Sequence, residues 1–166
     1  DFYLAMSLDG ISVLNDLAGG VTVTLEDDFS AADPAMTKGA TLTLQGDQAE
    51  IFVRRRMDIG EGTNEARMVR QEEYLAQLSA QLESRVQQDQ QFTAQVYDAL
   101  QPYLVTDLAK GQLVNEVWAA KDDTVEPAIA LEGEHKVAED GFTEFYPTEA
   151  SVQKAVLTLF WEPVEE

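Results

Sequence analysis

The chain contains no cysteine, which excludes disulfides and thiolate metal sites; exported bacterial and cytosolic proteins alike can lack it, so the compartment stays open. It has one histidine, His135, in a polar stretch that reads as a loop, and a Ser-His-Asp triad therefore has no support. Basic residues are scarce: 11 Lys plus Arg stand against 31 Asp plus Glu, a formal charge of -20. Such a surface repels nucleic acid, because duplex binding depends on basic side chains that displace counterions. With no basic helix either, a DNA-reading regulator is disfavoured. No run of 18 apolar residues occurs, so no membrane-spanning helix is written into these residues. The chain opens at Asp1, without Met, directly in a strand-like pattern. The expectation is therefore that further chain precedes it, and the missing anchor carries no weight.

What is present is enough for one domain: 166 residues, 45% of them hydrophobic. Phe2, Leu4, Met6 and Leu8 alternate with Tyr3, Ala5 and Ser7, the period of a strand. Ile11, Leu14 and Leu17 follow at helical spacing and stop at Gly19-Gly20. Residues 21–25 read as a second strand, 27–39 as a loop and 40–44 as a short strand or turn. A helix is expected over 47–53, capped by Asp47, with Ile51 and Phe52 turned inward. After the polar loop 58–63, a long helix capped by Asn64 carries Met68, Leu75, Leu78, Leu82, Val86, Phe92, Val96 and Leu100 towards Pro102, with a break in the Gln-rich 87–91.

Thr106 or Asp107 is expected to cap a further helix to Ala120, and 128–131 reads as a strand. Residues 142–146 look extended, and Thr148 caps a last helix with Val152, Ala155, Val156 and Leu159 inward. Trp118 and Trp161 read as core. Strands alternating with helices argue for an α/β or α+β layered fold, and neither a repeat nor a linker divides the chain.

The outlier is charge. Five of the six arginines lie between Arg54 and Arg70, and every lysine lies outside that stretch. Arg54, Arg55 and Arg56 are consecutive; Arg67 and Arg70 share a helix face, and Gln71 lies one turn beyond Arg67. A helix N-terminus offers free N–H groups, and arginine's planar fork suits phosphate oxygens, so the cluster points to a phosphate-rich anion. The plainer reading pairs these arginines with surface carboxylates, yet arginine at a helix N-terminus opposes the dipole. Asp27-Asp28 and Asp122-Asp123 are read as structural, since among 31 acids such pairs arise easily and make weak Mg2+ or Ca2+ signals.

Several pieces in order resemble the LytR–CpsA–Psr family: Gly19-Gly20-Val21, Leu44 to Ala49, Val53 to Arg56, and Arg67 to Gln71. Phe2-Tyr3 and Tyr146-Pro147-Thr148 are similar to that family's flanking strand and its end. The likeness is tight over residues 1–80 and looser over 81–166. It implies a single LytR–CpsA–Psr-type domain over 1–166, a layered α-β-α fold with a central mixed sheet. It also implies a phosphotransferase at the extracytoplasmic face of a Gram-positive membrane, held by an N-terminal anchor. Such an enzyme moves a glycopolymer (teichoic acid, capsule or similar) from a polyprenyl pyrophosphate carrier onto peptidoglycan, with Mg2+. By motif, Arg54, Arg56 and Arg67 would be catalytic and, with Arg70 and Gln71, would bind the phosphates. Met68, Leu75 and Leu78 would line the lipid tunnel, although an apolar stripe is core by default.

Two departures stand out. Asn64 replaces the family's Asp three residues before Arg67, and the family's first strands, with their metal-binding acids, should precede Asp1. The expectation follows that these residues alone are inactive, and that a bare sheet edge invites dimerisation. Arg55, variable in the family pattern, is expected to face solvent. The competing reading is a non-catalytic module that binds polyprenyl phosphate lipid or anionic wall polymer.

Overall fold

The computed structural model describes residues 2–60, 62–123 and 129–161. Two compact units divide the chain, Asp1–Asp123 and Thr124–Glu166. The first runs β1 (Leu4–Met6), α1 (Gly10–Ala18), β2 (Thr22–Thr24), β3 (Thr41–Thr43), α2 (Asp47–Arg54), α3 (Asn64–Gln88), α4 (Phe92–Leu100), β4 (Leu104–Thr106) and α5 (Lys110–Ala119). The α/β class expected from the sequence holds; among the described residues the strands pair two by two and antiparallel, in small sheets and not in one central mixed sheet. β1 runs antiparallel to β4 with Ala5 opposite Val105, and β2 antiparallel to β3 with Val23 opposite Leu42.

The core of this unit gathers where α1, α2 and α3 cover β2 and β3. Val21, Val23, Leu25, Phe29, Met36, Leu44, Ala49, Phe52, Val53, Ile59, Tyr74 and Leu78 close it. β2 buries Val23 between exposed Thr22 and Thr24, the strand alternation written in the sequence. α1 stops where expected: Gly19 takes φ 103, and the Gly19 and Gly20 N–H groups donate to Asp16 O at 3.1 Å and Asn15 O at 2.8 Å.

The helix caps differ from expectation. Gly46, not Asp47, precedes α2, with its N–H on Asp16 Oδ1 at 2.8 Å; Asp47 becomes a first-turn acid, which the helix dipole favours. Thr63, not Asn64, caps α3, because its extended backbone lets Oγ1 accept from Ala66 N at 3.1 Å. Ala109 precedes α5. Thr106 and Asp107 instead bind the β1 segment, Thr106 Oγ1 donating to Tyr3 O at 2.6 Å and Asp107 Oδ1 accepting from Tyr3 N at 2.9 Å.

The break after Gln88 is present, with Asp89 Oδ1 accepting from Gln91 N at 2.8 Å to turn the chain into α4. The inner stripe of α3 is Tyr74, Leu78 and Val86, with Leu82 beside them; Met68 and Leu75 lie outside it, 46% and 57% exposed. On α2 it is Phe52, with Ala49 and Val53, that is buried; Ile51 is only half-buried.

In the second unit, β5 (Gly133–Val137) and β6 (Thr143–Pro147) form an antiparallel hairpin followed by α6 (Glu149–Phe160). Thr148 caps α6 as expected, accepting from Ser151 N at 3.2 Å. The strand expected over 128–131 starts instead at Gly133; residue 128 lies outside the described residues. His135 accordingly sits in β5, its ring 5.0 Å from that of Phe145, and not in a loop. Only Ala155 of the expected inner face of α6 is buried, and Val152, Val156, Leu159 and Trp161 are exposed. Trp118 in α5 is half-buried, with Lys121 Nζ 5.4 Å from its ring. No helix of the described residues is long and apolar enough to cross a membrane.

Candidate functional site

The consecutive arginines fall at the point where α2 ends. Arg54 is its last residue, and Arg55 turns extended at φ -67, ψ 134, so the three side chains fan around the helix exit. They line one open cleft of about 540 Å³ with Asp47, Glu50, Ile51 and Met57. Arg54 is exposed and pairs with Glu50 one turn back, and Arg56 is exposed. Arg55 does not stand free in solvent. It is half-buried, its Nε donates to Met57 O at 3.3 Å, and its Nη2 lies 3.9 Å from Asp58 Oδ2.

A helix C-terminus is a poor place for an anion, since its last carbonyls point outward and carry partial negative charge. Here α3 supplies the correction. Arg70 Nε donates to Phe52 O at 3.2 Å and Nη2 to Arg55 O at 2.6 Å, while Gln71 Nε2 donates to Val53 O at 2.9 Å. The remaining edge of Arg70 faces Asp27 Oδ2, 3.2 Å from Nη1, and its guanidinium carbon lies 5.3 Å from the Phe29 ring centroid. With 11% of its side chain exposed, Arg70 faces the protein, not the cleft. Burial pulls its pKa below the ordinary arginine value; Asp27 works against that shift, and the charge of Arg67 adds to it.

The loop between α2 and α3 is held closely. Ile59 is 4% exposed and plugs it into the core. Gly60, at φ 36, lies so near Asp27 that a Cβ there would sit 1.9 Å from Oδ1. Arg67 is half-buried one turn before Arg70. Of the expected lipid contacts, Leu78 is core at 6% exposure, whereas Met68 and Leu75 are open, with Val69 beside them at 61%. Among the described residues no group of three or more His, Asp or Glu could hold a metal ion. A second cleft, of about 400 Å³, adjoins the first through Asp47 and Ile51 and is lined also by Asp33, Thr43, Gln45 and Gln48.

Sequence reasoning missed Asp27 and Phe29 as neighbours of the arginines. Their partner lies about 40 residues on, and an Asp-Asp pair in an acidic chain carries little signal. It also missed a buried polar node. Asn15, fully buried, donates to Leu44 O at 2.8 Å and accepts from Val21 N and from Tyr74 Oη at 3.2 Å each. That node ties α1, the start of β2, the end of β3 and α3 together behind α2. Burial, and then the charge of Asp16, push the Tyr74 hydroxyl up to about 12.

A family model described as the LytR_cpsA_psr family matches residues 1–159. Among solved structures, protein gbs0355 from Streptococcus agalactiae is similar with a TM-score of 0.75 at 21% identity, covering 95% of this chain and 56% of that one. TagT bound to LI-WTA gives 0.67 at 18%, over 93% of this chain and 57% of that one. B. subtilis TagU gives 0.61 at 15%, over 100% and 68%. The chain thus spans little more than half the length of the first of these, and at such identities the likeness is one of fold. No curated protein matches it.

Proposed function

The chain belongs to the LytR_cpsA_psr family, and from that membership we propose that its protein is a cell-wall glycopolymer phosphotransferase whose arginine cleft holds the pyrophosphate of a polyprenyl-linked substrate. The observation that carries the reading is the cleft itself: Arg54, Arg55 and Arg56 line it together, in a chain of formal charge -20. Against that acidic background, three guanidinium groups beside Asp47 and Glu50 give the cleft an excess of positive charge suited to a phosphate. That TagT is bound to LI-WTA in its structure supports a wall teichoic acid type of ligand.

In the proposed reaction an acceptor hydroxyl of peptidoglycan gives up its proton to solvent and attacks the phosphorus that bears the glycopolymer. The bridging P–O bond breaks, and polyprenyl phosphate departs with the bridging oxygen. Negative charge grows on that leaving group, and fixed guanidinium donors from Arg54, Arg56 and Arg67 stabilise it. Thr43, Gln45 and Gln48 of the adjoining cleft offer partners to sugar hydroxyls next to the phosphates. The exposed Met68, Val69 and Leu75 offer apolar surface to the lipid chain. No step is assigned to Mg2+, for which the described residues group no ligand set. The reading places the protein at the extracytoplasmic face of a Gram-positive membrane.

The test is Arg54→Ala, Arg56→Ala and Arg67→Ala in the protein as its gene encodes it. Each lost charged hydrogen bond is worth about 1.5–3 kcal/mol, or roughly 10- to 100-fold in affinity for polyprenyl pyrophosphate. Unchanged affinity in all three would make the cluster structural. Binding without transfer of polymer to peptidoglycan would assign the protein to the binding-module class instead.

A further inference from the structure

Resting on the reading of the cleft as a pyrophosphate site, we propose that Arg70, held by Asp27, and Gln71 are positioning residues that cap the carbonyl end of α2 and hold Arg54 and Arg56 towards the phosphates, and are not phosphate ligands.

Three observations converge on this. First, each nitrogen of Arg70 already donates within the protein, to Phe52 O, Arg55 O and Asp27 Oδ2, and its guanidinium lies over the Phe29 ring. To turn towards a phosphate it would have to give up its ion pair with the half-buried Asp27, whose side chain is 22% exposed. Second, the acceptors are not arbitrary. In α2, Ile51 O accepts from Arg55 N, and the next two carbonyls, Phe52 O and Val53 O, are those to which Arg70 and Gln71 donate. These are the orphan acceptors every helix end leaves, and uncovered they would present negative partial charge beside the incoming anion. Third, Arg70 grips Arg55 O, the backbone between the two exposed arginines, so its hold acts directly on where Arg54 and Arg56 point.

Asp27 gives a test in which the two roles predict opposite signs. If Arg70 were a phosphate ligand restrained by Asp27, Asp27→Asn would release it and also remove a negative charge, and pyrophosphate would bind more tightly. If Arg70 is a clamp anchored by Asp27, the same isosteric change loosens α2's end and binding weakens, by about fivefold to tenfold. The measurement is calorimetric titration of inorganic pyrophosphate into the protein as its gene encodes it, with circular dichroism and a thermal midpoint to show that each variant is folded at the titration temperature.

A coupling cycle gives the second readout. Arg70→Gln should weaken binding at least tenfold alone but much less in an Arg54→Ala, Arg56→Ala background, because the groups it positions are gone. A direct ligand would still lose most of that factor there, because its own contact with the phosphate needs neither Arg54 nor Arg56. Should Arg70→Gln fail to fold, Gln71→Met replaces it in the same cycle. Tighter or unchanged binding in Asp27→Asn, or additive losses in the cycle, overturns the clamp. Unchanged pyrophosphate affinity in Arg54→Ala and Arg56→Ala would instead overturn the underlying site reading, whatever Asp27→Asn does.

Discussion

Asn15→Ala should be the most damaging single polar substitution behind the site, and its cost follows from the geometry. The side chain is fully buried and meets Val21 N, Leu44 O and the Tyr74 hydroxyl. Each group left without a partner costs about 1–3 kcal/mol. Partial relaxation and water entry reduce the sum, so the expected loss is about 3–5 kcal/mol, a large share of a typical domain stability of about 5–15 kcal/mol. At about 4 °C per kcal/mol for a unit of this size, the thermal midpoint falls by about 12–20 °C. Tyr74→Phe is the internal reference: it removes one hydroxyl and leaves Asn15 Oδ1 on Val21 N, so about 1 kcal/mol is expected. The assay is urea denaturation of both variants followed by far-ultraviolet circular dichroism. If Asn15→Ala costs no more than Tyr74→Phe, the node does not hold the four segments together and the reasoning fails.

Alkaline titration checks the same node from another side. The Tyr74 hydroxyl is raised to about 12, so its neutral form is favoured in the fold; its contribution is full below pH ~10 and is lost as pH rises through ~12, and Tyr74→Phe should remove that loss from the stability-versus-pH curve. Gly60→Ala and Gly39→Ala both place a Cβ at positive φ, but nothing lies within 4 Å at Gly39 while Asp27 blocks Gly60. Chemical denaturation should thus show about 1 kcal/mol of backbone strain for Gly39→Ala and clearly more for Gly60→Ala, with weakened pyrophosphate binding only in the latter. Thr63→Ala removes the cap on Ala66 N and should cost about 1 kcal/mol by the same measurement; no loss would show that the cap is not needed.

Much of the element order was legible in local pattern. The Gly19 stop, the break near Asp89 and the Thr148 cap depend on a few adjacent residues, whose backbone preferences are strong wherever they fall. The caps of α2, α3 and α5 were less legible, because Asp47, Asn64, Thr106 and Asp107 are all acceptable cap residues and each stands within a few positions of the residue used. Tyr74 escaped the apolar stripe of α3 because its burial depends on Asn15, 59 residues away. The exposed Val156 and Leu159 show the converse, since an apolar helical pattern says which face could be buried and not whether a partner covers it.

By itself the sequence determined that positive charge is concentrated in residues 54–70 of an acidic chain, and that its motifs follow the order of one family. Composition and spacing suffice for that, because they do not depend on which residues meet. Only the tertiary structure decided the surroundings of each of those arginines. Arg54 and Arg56 reach open solvent at the end of α2, Arg55 lies along the cleft wall, and Arg70 turns inward to Asp27, Phe29 and the carbonyls of α2. Guanidinium groups are chemically alike along the chain. What separates a group that holds a ligand from one that holds the fold is the set of acceptors that packing brings to each, and those acceptors come from segments far apart in sequence.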